Sequence, residues 1–102
     1  MMVAAESLIA QADAALARNA LPDARRLLGA AIERASPSVD LWLKLAAVCR
    51  AETDLAGALE ATDQALALDP LHALALLLRA NLLDRLGRPD ADRAYGHALA
   101  QD

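Results

Sequence analysis

A period of 34 residues runs through this chain and limits its possible folds more than any other feature. Leu8, Trp42 and Leu76 stand 34 residues apart, as do Ala12, Ala46 and Ala80. Asn19, Thr53 and Gly87 keep the same spacing, and so do the pairs Ala24 with Ala58 and Ala31 with Ala65. Five columns agreeing on one offset exceed coincidence, although in an Ala-rich chain the all-Ala columns alone would be weak. Self-similarity at this period means that one supersecondary unit is built repeatedly and stacked, because a single unit cannot bury its apolar face alone. With 102 residues there is room for three such units around one modest core.

Each unit is expected to be two helices. Apolar residues return at steps of three and four over residues 4–18, 39–51 and 72–86, the spacing of an amphipathic helix. The composition is 57% hydrophobic but only 2% aromatic; Ala and Leu supply the mass, and both are strong helix formers. β-branched residues are few, which disfavours strands. Short breaks follow each first helix: Asn19-Ala20-Leu21-Pro22, Thr53-Asp54 and Gly87-Arg88-Pro89. Asn19 and Gly87 suit the left-handed residue that commonly ends a helix. Pro22 and Pro89 suit the first turn of the next helix, where a missing N–H costs nothing. Asp54 is a natural N-cap. The second helices then run over about 23–35, 55–68 and 90–100, and Ser36-Pro37 and Asp69-Pro70 close the first two units.

The middle unit reads Trp42-x2-Leu45-Ala46-x2-Cys49, then Ala58-x3-Thr62-x2-Ala65, then Pro70. This resembles the tetratricopeptide repeat (TPR) family. That family prefers Gly at the place of Ala46, Tyr at Cys49 and Phe at Thr62, so smaller residues stand at the last two packing positions here, while the small-residue contact at Ala46 is kept. In the first unit Leu8, Ala12, Ala15, Ala24, Leu28 and Ala31 fall on the pattern, with Pro37 one residue late. In the third, Leu76, Ala80, Leu83 and Gly87 fit, and Ala91, Tyr95 and Ala98 fit once one turn residue is deleted. The resemblance implies an all-α, right-handed α-solenoid of three TPR helix-turn-helix hairpins, six helices in all, without a C-terminal capping helix. It covers a single domain over residues 1–102, with repeats at about 5–38, 39–72 and 73–102. Ala12, Ala46 and Ala80 should lie where the two helices of a hairpin meet closely. Trp42, Leu8 and Leu76 should supply bulk between repeats.

Catalytic constellations are absent from the sequence. Cys49 lies on the apolar face of its helix without a placed base, and a packing role is expected, since free Cys is usually a buried small hydrophobe. His72 and His97 have no partners at metal-ligand spacing, and there is no glycine-rich phosphate loop. The chain is therefore expected to be no enzyme by itself, with no cofactor and no metal. Asp90 and Asp92 look like first-turn charges favoured by the helix dipole, and Arg25, Arg26, Arg85 and Arg88 like solvated faces. A net charge of −4 without a basic cluster argues against a nucleic-acid partner. The longest apolar run, residues 73–78, is far short of the roughly 20 residues that span a bilayer, which argues against a membrane. One cysteine and no visible secretory signal make a cytoplasmic location the default expectation.

A protein or peptide ligand remains the expected partner. In the TPR family the first helices line a concave groove. Carrying those positions over gives Ile9 and Asp13 from the first unit and Leu43, Lys44, Ala47 and Arg50 from the second. The third contributes Leu74, Leu77, Leu78, Asn81, Asp84 and Arg85. Family members that grip a chaperone's C-terminal carboxylate use Lys, Asn and Arg there. Ile9, Asp13, Lys44, Leu74 and Leu78 do not reproduce that clamp, so such a ligand is not expected. Two readings of the apolar groove residues stand side by side: an apolar helix or extended segment is held there, or some of these leucines are inter-repeat core. Leu99 near the end of the last helix lacks a covering element, which leaves self-association or a following domain as expectations. The segments 41–50 and 75–88 are also similar to N-terminal TPR segments of bacterial aspartyl/asparaginyl β-hydroxylase-like proteins, which are iron- and 2-oxoglutarate-dependent oxygenases. That resemblance implies a substrate-recruiting module whose iron ligands lie outside these residues.

Overall fold

In a computed structural model that describes residues 4–101, six helices follow one another. They are α1 (Ala5–Ala17), α2 (Leu21–Arg34), α3 (Val39–Ala51), α4 (Leu55–Leu68), α5 (Ala73–Arg85) and α6 (Ala91–Gln101). Among the described residues there is no strand. The outermost parts of the expected domain span, residues 1–3 and 102, lie outside the described residues. Each helix packs mainly on its neighbours in sequence, first within the hairpins α1–α2, α3–α4 and α5–α6 and then between hairpins through α2–α3 and α4–α5. This nearest-neighbour stacking makes an elongated body of 47 × 25 × 18 Å. Its radius of gyration of 14.1 Å exceeds the roughly 13 Å of a compact domain this size.

The repeat columns explain the packing. Ala12, Ala46 and Ala80 are each completely buried, so only a methyl group fits where a first helix meets its neighbour. In the second helices Ala24, Ala58 and Ala91 form one buried column and Ala31, Ala65 and Ala98 another. The last member of each is displaced by one residue, as the deleted turn residue requires. α6 has 11 residues against 14 in α2 and α4, and it starts four residues after Gly87, where α2 and α4 start two residues after Asn19 and Thr53. Ala15, Cys49 and Leu83 are buried at equivalent places.

The contact between hairpins uses a different side of the first helices. Leu41, Val48, Ala75 and Leu82 are buried, whereas their counterparts in α1, Ser7 and Ala14, are exposed. Val48 joins the cluster that contains Leu27, Leu28 and Ala31 of α2, and Leu82 joins Cys49 and Ala58. Thus α3 and α5 each cover the hairpin before them, while α1 has no described helix ahead of it to cover.

The three first helices end identically. Asn19, Thr53 and Gly87 have φ of 57°, 61° and 72°. In each case the next residue's N–H donates back to the carbonyl five residues earlier: Ala20 to Ala15, Asp54 to Cys49 and Arg88 to Leu83, all at 2.8 Å. Together with the bonds from Asn19 to Leu16, Thr53 to Arg50 and Gly87 to Asp84, these are three Schellman motifs at one spacing. Asn19 and Gly87 are the residue types expected at such ends, and Thr53 completes the column.

Helix starts are capped where a suitable side chain exists. The N–H of Leu41 donates to Ser38 Oγ, that of Gly57 to Asp54 Oδ1 and that of Ala75 to His72 Nδ1, each satisfying an otherwise orphaned first-turn donor. Gly57 is required by its cap, because a Cβ there would stand 2.8 Å from Asp54 Cγ. α1 and α2 have Ala4 and Ala20 as their N-cap residues, which provide no side-chain cap. α2 starts two residues before the expected position, at Leu21, with Pro22 in its first turn. Its start follows directly from the Schellman turn at Asn19. Trp42 of α3 lines a cavity at the seam between the first two hairpins, with Ile32 of α2 and Leu68 of α4, and is half-buried there, while Leu8 and Leu76 are buried.

Candidate functional site

The expected groove residues fall on one side of the first helices. Ile9 and Asp13, Leu43 and Ala47, and Leu77 and Asn81 are i, i+4 pairs on α1, α3 and α5, so each pair shares a helix face. Arg50, Leu74, Leu77, Leu78 and Asn81 come together around a cavity of about 250 Å³ between α3 and α5. Leu74 and Leu77 also face an adjoining cavity of about 330 Å³, completed by Ala73 of α5 and by Ala98 and Leu99 of α6. The exposure of these leucines is large: 61% for Leu74, 48% for Leu77 and 70% for Leu99.

The other candidates are placed differently. Ile9 and Leu43 are half-buried, and Ile9 packs against the cluster formed by α1, α2 and α3. Leu78 is half-buried against the Cys49–Leu82 cluster even as it lines the smaller cavity. Ala47, Asp84 and Arg85 are exposed and line neither cavity. Lys44 and Asp13 pair with each other, Nζ donating to Oδ1 at 3.2 Å and Oδ2 at 3.4 Å. Both are substantially exposed, so the pair contributes well under about 1 kcal/mol. It does neutralise two charges at the α1–α3 end, leaving Arg50 as the cation beside the leucines. The participation of Ala73 and Ala98 was not legible in sequence, because it depends on how α6 leans on α5.

A second polar constellation joins the first two hairpins. Arg25 of α2 donates to Asp54 Oδ2 at 2.8 Å and to Glu52 Oε1 at 3.3 Å, both in the turn between α3 and α4. The Gly57 N–H and the Arg25 guanidinium hold the Asp54 carboxyl below the usual range, and the bond to Asp54 raises Arg25 further. Burial pushes the Cys49 thiol up, against an opposing pull from Arg25. A covered, protonated thiol is a packing group and not a nucleophile. Arg25, expected to be a solvated residue, is instead a tie between hairpins. Among the described residues no cluster of His, Cys, Asp or Glu could hold a metal ion. No described helix is long and apolar enough to cross a membrane.

No protein-family model matches the sequence, and no curated protein matches it. Among solved structures, a crystal structure of MamA superposes with a TM-score of 0.86 at 20% identity, over 96% of this chain and 58% of that one. A second crystal structure of MamA protein gives a TM-score of 0.87 at 21% identity, over 96% of this chain and 54% of that one. The chain thus spans a little over half the length of the structures it matches. At this identity the likeness concerns the fold: an all-helical repeat solenoid of the kind seen in MamA.

Proposed function

We propose that this chain is a protein-interaction module that holds a peptide or protein segment along its first helices, at the apolar end formed by α5. The observation that carries this reading is the exposure of Leu74 and Leu77 over two adjoining cavities, with Arg50 and Asn81 at the edge. Covering the exposed parts of both leucines contributes about 2–3 kcal/mol to binding. The cation and the amide supply orientation, by hydrogen bonds to a ligand carboxylate or backbone carbonyl. Ile9 and Leu43 act mainly as inter-repeat packing, Asp13, Lys44 and Asp84 extend the polar remainder of the groove, and Ala47 lies among them as a small exposed residue. The Leu99 side of this surface also suits a following helical domain or a second copy of the chain. An acidic net charge of −4 favours protein over nucleic-acid ligands.

The test uses peptides selected from a displayed random library on the purified protein. Leu77→Asp is expected to weaken selected peptides about tenfold or more, and Arg50→Glu to weaken those with an acidic residue, while helix content is unchanged. Affinities indifferent to both substitutions, with Lys44→Glu equally silent, would overturn the reading. The same groove would serve substrate recruitment if the chain precedes an oxygenase domain, the context that the sequence resemblance implies. A His-x-Asp or His-x-Glu triplet with a distant His in the coding frame beyond residue 102 is the mark of that context.

A further inference from the structure

On the side of α5 turned away from the groove lies a third cavity, of about 360 Å³, between α4, α5 and α6. At 100° per residue, Leu76 and Arg79 point opposite to Leu74, Leu77 and Asn81. Leu66, Leu76 and Ala94 form its apolar lining, and Arg79, Arg93 and His97 its basic side.

The preceding register of the same surface shows what belongs there. Between α2, α3 and α4 the place of Leu76 is taken by Trp42, and two separate cavities flank the indole. One, of about 510 Å³, includes Leu45, Ala61 and Gln64; the other, of about 250 Å³, includes Ile32 and Gln64. Their counterparts one repeat later, Arg79, Ala94, His97 and Leu66, all open onto the single cavity. Leu76 stands at the position of Trp42 and is the smaller side chain, so this chain supplies no ring there. The charge changes as well: Leu45, Glu60 and Gln64 become Arg79, Arg93 and His97. Arg79 is already engaged, donating to Asp63 Oδ1 at 3.0 Å, and Asp90 stands at the rim. Arg93 and His97 lie one turn apart on α6 and join none of the ion pairs among the described residues.

We propose that this cavity is a second binding site, which takes an aromatic side chain of a partner's peptide segment together with an adjacent carboxylate. The ring occupies the place over Leu76 that Trp42 fills one repeat earlier. The carboxylate pairs with Arg93, whose planar guanidinium matches it, and accepts from the His97 imidazole. Asp63 and Asp90 disfavour a segment that is simply acidic, so the ring is needed as well as the charge.

The test is a titration of the ¹⁵N-labelled full chain with acetyl-Glu-Trp-Glu-amide, beside acetyl-Lys-Trp-Lys-amide and acetyl-Glu-Ala-Glu-amide. Saturable shifts are expected at the amides of Arg93, Ala94 and His97, with half-saturation on the order of 1 mM for so small a ligand and both controls at least about fivefold weaker. Leu76→Trp, which fills the ring's place, is expected to abolish the shifts. Arg93→Glu, on an exposed position, is expected to weaken them about fivefold or more with the unfolding midpoint unchanged, and it decides the matter should Leu76→Trp fail to fold. Equal binding of either control, indifference to Arg93→Glu, no saturation, or shifts confined to Leu74, Leu77 and Asn81 would each overturn the proposal.

Discussion

Thr53 holds φ at 61° although it is β-branched, in a column otherwise filled by Asn19 and Gly87. The left-handed region costs an ordinary L-residue roughly 1–2 kcal/mol, and glycine avoids that cost. Thr53→Gly should therefore raise stability by about 1 kcal/mol, seen as a higher urea midpoint with an unchanged slope. Its neighbour Asp54 serves two ends at once, accepting from Gly57 N–H at 2.9 Å and from Arg25 at 2.8 Å. Because its folded-state pKa is depressed, its contribution is fully present above the unfolded value of about 3.9. That contribution is lost as pH falls through the folded-state value. The gap in thermal midpoint between the parent chain and Asp54→Asn should be widest at neutral pH and should close below about pH 4. A gap that persists at low pH would show that the carboxylate charge is not what matters there.

At the scale of elements, the spacing of small residues determines how closely helices pack. Ala46 is completely buried while the adjacent Ala47 is exposed, so the same substitution at the two positions separates packing from propensity. Ala46→Leu should cost about 3 kcal/mol by overpacking, and Ala47→Leu should stay within about 0.5 kcal/mol, both read by chemical denaturation. These columns were legible in sequence because helix pairing within a hairpin repeats with the period. The left-handed ends at Asn19 and Gly87 and the cap at Asp54 were legible because each is a local backbone requirement met by particular residue types. Features set by how one hairpin sits on the next were not. The Arg25 tie to Glu52 and Asp54 and the Lys44–Asp13 pair join residues 27 to 31 apart in sequence, and the half-exposure of Trp42 depends on how one hairpin sits on the next, where no short periodicity reports. His72 as an N-cap was hidden for another reason, since a ring nitrogen is an uncommon acceptor at that position.

At the scale of the molecule, the stack sorts its apolar residues by what lies next to them. Ile9, Leu43 and Leu77 form one column, yet only Leu77 is strongly exposed. Leu66 and Leu99 are likewise counterparts, the first half-buried beneath α5 and the second 70% exposed. The sequence could mark these positions as apolar but could not rank them, because exposure depends on where in the stack each copy falls. Apolar positions that are half-buried in one copy are exposed surface in the third, and the two cavities lined there meet at Leu74 and Leu77. The most direct test of that surface as the ligand site is an amide chemical-shift map of the labelled chain with a library-selected peptide. Shifts gathered on Leu74, Leu77, Asn81 and Arg50 are predicted. Shifts that spare these residues and fall on α2 and α4 would contradict the account.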